Sequence, residues 1–176
     1  MGGVPAPVVR QREIGAVLGC LVLGWFVLQD VRVPVLAYVD LGFHELGHFV
    51  CYPLPVGELF TAAAGSIAQI AVPLGLAMYF LLFRWDNTGA AVCTAWAATS
   101  AMDVSRYMAD APYERLEFLG GDHDWAFFFS AEGIDAMDRA ESVAGNVANL
   151  GWLLLLAAFV IAVWPALKRE RVVSRA

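Results

Sequence analysis

The chain has 176 residues, 60% of them hydrophobic, a mean hydropathy of +0.63 and only 16% charged residues. Soluble domains carry about 25% charged residues, so the composition argues against a water-soluble domain and for an all-α, polytopic helical membrane protein. The formal net charge of −6 says little, because the acids are clustered, and nothing in the pattern calls for a nucleic-acid partner.

Five apolar segments approach the roughly 20 residues that cross a hydrocarbon core. The first, about 14–29, follows Arg10 and Arg12 and loosely resembles a signal peptide. The small-residue cleavage site is missing, and "QDVRVP" follows instead, so it reads as a retained span. The others are expected at about 33–52, 60–83, 89–109 and 143–165. "PLPVG" at 53–57 ends the second, because proline lacks an amide donor and disfavours helix before it. "RWDNTG" at 84–89 is a polar turn with an interfacial aromatic. The expectation is one membrane domain over 1–176, with a polar loop at 110–142 and a basic tail at 166–176. The loop holds nine Asp or Glu and two Arg. With five spans and a cytoplasmic tail, basic residues split six inside to four outside, with Arg10 and Arg12 on the wrong side. An even number of spans, with one segment only dipping in, would resolve that conflict. Cys20, Cys51 and Cys93 lie in apolar surroundings without CxxC spacing, and read as inert buried thiols.

The second segment carries "DLGFHELGHFV" at 40–50. On a helix, His44 and His48 share one face one turn apart, and Glu45 projects beside them. This is the HExxH arrangement: two imidazoles bind Zn2+, and the carboxylate acts as general base on a water acidified by the metal. Ionisable groups inside spans are expensive and read as functional. Gly47 allows a neighbouring helix to approach closely.

Catalytic zinc needs a third protein ligand. In "SAMDVSRYMADA", Asp103, Tyr107 and Asp110 share a helical face, with Arg106 alongside. Asp103 lies deepest in the apolar segment and is the favoured ligand, although an Asp103–Arg106 ion pair explains the same residues. "GGDHDWAFFF" holds the third histidine, His123, between Asp122 and Asp124, so His123 or Asp124 is the alternate; a surface turn is the plainer reading. Tyr107, Asp110 and Gln69 are expected to orient ligands or to meet substrate. Gln69 shares a face with Pro73, and Asn146 shares one with Asn149; ordinary interhelical ties explain both pairs.

"FHELGHFV" in a span, followed by a small-residue span and a later aspartate, resembles the site-2-protease type of intramembrane zinc metalloprotease. The resemblance covers about residues 40–130. It implies zinc held by His44, His48 and an aspartate on a later span, matched by position to Asp103, with Glu45 activating water to cut peptide bonds. The family's NxxPxxxLDG-like string is absent, and no PDZ-like insert is present. The sequence looks more like a compact bacterial group with HELGH, a GSxxQxxxP span, a DxxxYxxDA segment and an HDW turn.

The expected function is therefore an intramembrane zinc metalloendopeptidase of a bacterial inner membrane, with the lipid bilayer and a membrane-protein or peptide substrate as partners. Two alternatives use the same residues: a zinc hydrolase of a non-peptide membrane substrate, and a non-catalytic zinc-binding scaffold with four protein ligands. A transporter fits poorly, for there are too few spans for two repeats and no internal symmetry, although a homo-oligomer could supply more.

Overall fold

A computed structural model of the chain describes residues 6–116 and 123–173. Among these the protein is all-helical: α1 Ala6–Leu28, α2 Pro34–Cys51, α3 Glu58–Leu82, α4 Asn87–Asp110, the short α5 Asp124–Phe129, a 3-10 turn Met137–Arg139, and α6 Ala140–Val173. Local chemistry sets the breaks. Asp30 and Trp85 adopt φ of 52°, a left-handed conformation of the kind that closes helices, just after α1 and α3. Pro34 opens α2, where its missing donor costs nothing. Asp86 caps α4 by accepting from the Thr88 and Gly89 amides, and its other oxygen takes Arg12 at 2.7 Å.

All five expected apolar segments are helices, but they are not equivalent. Three stretches are long and apolar enough to cross a membrane: Arg10–Leu28, Glu58–Leu82 and Met137–Lys168. The expected count of five such spans is not reached among the described residues. α2 is shortened to 18 residues and carries Asp40, Glu45 and both histidines. α4 is rich in Ala, Ser and Thr for a different reason: it is the central helix. α1, α3 and α6 pack around it, and 14 of its residues are buried. A helix sheathed in protein needs small side chains for close packing rather than a lipid-facing apolar surface. Ala90, Ala91, Ala95, Ala97, Ala98 and Ala101 are fully buried along it, and Gly151 of α6 sits against Ala98 and Met102.

Helix directions follow from these contacts. α1 runs parallel to α4, since Arg12 meets Asp86, Cys20 meets Ala91 and Asp30 meets Arg106. α3 is antiparallel to α4, with Gly89 against Phe80 at one end and Ala63 clustered with Met108 at the other. α6 is antiparallel to α4, pairing Ala144 with Ser105 and Gly151 with Ala98. α2 is antiparallel to α3, pairing His48 with Thr61 and His44 with Gln69. α1 and α2 therefore run in the same direction.

The α2–α3 contact depends on Gly47. A Cβ there would fall inside van der Waals contact of the Ala64 carbonyl oxygen and 2.9 Å from the Ala68 Cβ. Gly75, also in α3, has open space around it. Gly47→Ala should lower the melting temperature in detergent, at an overpacking cost of ~1–3 kcal/mol, although alanine is the better helix former. Gly75→Ala should leave it unchanged or raise it, so equal melting temperatures for the two variants would refute the close-packing role.

Candidate metal centre

Sequence spacing brings His44 and His48 together on the buried face of α2, with ring centroids 4.9 Å apart. Each ring is held from behind. His48 Nδ1 lies 2.8 Å from the Thr61 backbone oxygen, and His44 Nδ1 lies 3.3 Å from Gln69 Oε1. Carbonyl oxygens only accept, so each Nδ1 carries a proton, and in the neutral ring each Nε2 presents its lone pair forward. Both Nε2 atoms point at one carboxylate oxygen: Asp124 Oδ2 stands 3.0 Å from His44 Nε2 and 3.3 Å from His48 Nε2.

Three acceptors aimed at one point repel unless positive charge lies among them. The ligand atoms of His44, His48 and Asp124 all fall within 4.8 Å of one another, the one group of at least three such residues among those described that could hold a metal ion. Two ligand atoms at ~2.1 Å from a tetrahedral zinc stand ~3.4 Å apart, close to the 3.0 and 3.3 Å between Asp124 Oδ2 and the two Nε2 atoms. Gly65 makes room for the rings. A Cβ on it would sit 2.5 Å from both Nε2 atoms and 2.6 Å from His44 Cδ2, so an alanine there collides with the imidazoles.

Asp124 comes from outside the long helices, and a set of contacts delivers it. Trp125 Nε1 donates to Ser66 Oγ at 3.0 Å, one residue from Gly65, and pins α5 onto α3. His123 caps α5, its Nδ1 accepting from the Ala126 amide. The Tyr107 hydroxyl donates to Asp124 Oδ2 at 3.0 Å and accepts from the Asp124 amide at 2.9 Å. Tyr107 also stacks on His123 with centroids 4.4 Å apart, while His123 Nε2 faces Asp110 Oδ2 at 3.6 Å. Burial holds His123 below its ordinary value, against the opposing pull of Asp110.

The favoured third ligand of the sequence reading, Asp103, is not part of this group. It is buried and charge-paired instead, with Arg106 Nη2 at 3.1 Å and Arg32 Nε at 3.7 Å. Arg106 also reaches Asp30 at 3.2 Å. The ion-pair explanation noted for Asp103 and Arg106 is the arrangement present. Asp40 is likewise engaged, accepting from Trp96 Nε1 at 2.7 Å and Ser100 Oγ at 3.0 Å. His123 is committed to capping α5, and Asp110 accepts from the Arg115 and Leu116 amides. Asp122 lies outside the described residues. The plain surface-turn reading of "HDW" fails because Trp125 is buried and hydrogen-bonded to Ser66. Nothing local in the sequence singles out Ser66, which the fold alone brings to the Trp125 indole. Asn146 and Asn149 are exposed rather than packed.

Glu45 is exposed, and with Gly42, Leu46, His48, Phe49 and Tyr52 it lines an open groove of about 400 Å³. No family model matches this chain, and neither does any curated protein or solved structure.

Bound metal, measured per mole of purified protein, tests the donor set. His44→Ala, His48→Ala and Asp124→Ala should each lose it, while Asp103→Asn should keep it. Gly65→Ala should also lose it, because a methyl there pushes both imidazoles out of place with every donor residue retained. Retention by Asp124→Ala and loss from Asp103→Asn would reverse the assignment. Removing a group that only orients a donor costs ~10–100-fold in affinity, so Tyr107→Phe should weaken metal binding by that factor in a competition titration. An unchanged affinity would show that Tyr107 does not hold Asp124 in place.

Proposed function

We propose that this protein is a zinc metalloprotease working within the membrane, of the site-2-protease kind and seated in a bacterial inner membrane. The observation that carries the reading is the convergence of His44, His48 and Asp124 on one point, with Glu45 one position along α2 in the open groove beside it. Two imidazoles and one carboxylate are a donor set that zinc takes in hydrolases, with a fourth position left for water. This chain departs from the resemblance in a further respect: its carboxylate arrives on the short α5, after the α4 segment that carries Asp103.

Zinc, when bound, would supply a Lewis acid that brings the pKa of a coordinated water to ~7. The remaining steps belong to the chain. Gln69 and the Thr61 carbonyl fix the tautomers and aim of the imidazoles. Tyr107 holds Asp124 in register. Glu45 takes a proton from the attacking water as its oxygen bonds to the peptide carbonyl carbon. It then returns that proton to the leaving nitrogen as the C–N bond breaks, giving an acid and an amine. Leu46, Phe49 and Tyr52 give the groove apolar walls against which a membrane-embedded segment can lie.

The test is cleavage of single-span protein substrates by purified protein in lipid vesicles. Glu45→Gln should keep its zinc and lose ~10²–10⁴-fold in rate, the usual contribution of a general base. Equal rates for the two forms would end the protease reading. Hydrolysis of lipid esters in place of peptides would turn it into a different zinc hydrolase, and a zinc-loaded native protein that cuts nothing would make it a metal-holding scaffold.

A further inference from the structure

The contacts that set helix direction also gather the basic residues. Arg12 is bound to Asp86 in the α3–α4 turn, next to Arg84. Arg10 shares a groove with Ala166 near the end of α6. Lys168, Arg169 and Arg171 lie in the last turns of that helix. The start of α1, the α3–α4 turn and the end of α6 are therefore one end of the bundle, carrying Arg10, Arg12, Arg84, Lys168, Arg169 and Arg171.

Arg32, Arg106, Arg115 and Arg139 lie toward the other end. Arg32 and Arg106 are tied up with Asp103 and Asp30. That end also carries the exposed Glu114, Glu132, Asp135, Asp138 and Glu141. Because α1 and α2 run in the same direction, they cannot be two successive crossings of a bilayer. α1, α3, α4 and α6 alternate in direction, and α2 is a partial insertion beside them. Four crossings put all six basic residues on one side, including the two that a five-span path leaves on the wrong one.

The metal centre lies toward the acidic end. His48 meets Thr61 three residues into α3, and His44 meets Gly65 seven residues in. At ~1.5 Å per residue, the centre sits only ~5–10 Å along that helix from its start. Tyr107, its other support, is three residues from the end of α4 at Asp110. In a hydrocarbon core ~30 Å thick this is an outer-third position.

Lys and Arg near span ends accumulate on the cytosolic side. From this we infer that the metal centre opens on the membrane face opposite the cytosol, near the interface, so that cation and substrate alike arrive from that side. The inference extends the metalloprotease reading but rests on basic-residue placement and helix direction.

Two single-cysteine proteins test it, built on a background with Cys20, Cys51 and Cys93 replaced by alanine. Glu132→Cys lies in the exposed loop at the acidic end, and Lys168→Cys is exposed at the basic end. In intact bacterial cells made permeable only at the outer membrane, a membrane-impermeant maleimide should label Glu132→Cys at least tenfold more than Lys168→Cys. Lysis should equalise them. Labelling of Lys168→Cys before lysis, or protection of Glu132→Cys until lysis, overturns the inference. If the cysteine-free protein does not fold, green fluorescent protein fused after α6 of the native chain gives the same answer: bright cells support a cytosolic end, and dark cells with full-length fusion overturn it. Neither readout needs bound metal or cleavage, so an inactive protein would sink the protease reading and leave the sidedness standing.

Discussion

Three lone pairs converge on one small volume, and most of the protein around them is arranged to keep them there. The Nε2 atoms of His44 and His48 and one oxygen of Asp124 stand within a few ångströms of each other in a largely buried site. Left without positive charge, such a grouping is costly, because acceptors cannot satisfy one another and little water reaches them. A cation turns the same geometry from repulsive to attractive. Much of the local architecture follows from that need. Gly65 makes room for the rings, Thr61 and Gln69 set the imidazole protons behind them, and Trp125 on Ser66 anchors the segment that brings the carboxylate.

The bundle solves a second problem, which is how to keep charged groups among apolar helices. It divides them by purpose. Asp103 is neutralised by Arg106 and Arg32, and Asp40 is satisfied by Trp96 and Ser100, so these acids tie α1, α2 and α4 together. Asp124 has only neutral hydroxyl and imidazole partners and is left to face the metal position. Asp103 has arginines beside it and Asp40 has two committed donors, whereas one Asp124 oxygen faces both imidazoles. A buried ion pair closes its own account, whereas a carboxylate backed only by tyrosine and histidine still seeks a cation.

Position along the helices shapes what the centre can do. The hydrolysis proposed for this site needs water, and the middle of a bilayer has almost none. Here the site sits within the first turns of α3 and the last turn of α4, beside the short α5, with an open groove on its Glu45 side. No long aqueous passage through the bundle is then required. The fully buried alanines of α4 serve the opposite end of the same design, packing that helix into a dry rod that carries the site on its tip.

The linear chain was enough to determine that long helices form and that His44 and His48 share a face, because helix periodicity and apolar runs are local properties. Glu45 beside them was legible for the same reason. The third carboxylate was not. Asp103 and Asp124 are both acids near the end of an apolar stretch, and what separates them is an arginine between α1 and α2, an arginine one turn along α4, and a tryptophan that reaches across to α3. The direction of α2 was equally hidden, since five apolar runs in a row look like five crossings until side-chain contacts show two consecutive helices pointing the same way. Local spacing chose the two imidazoles; only packing between distant segments, which no periodicity encodes, could choose the acid that faces them.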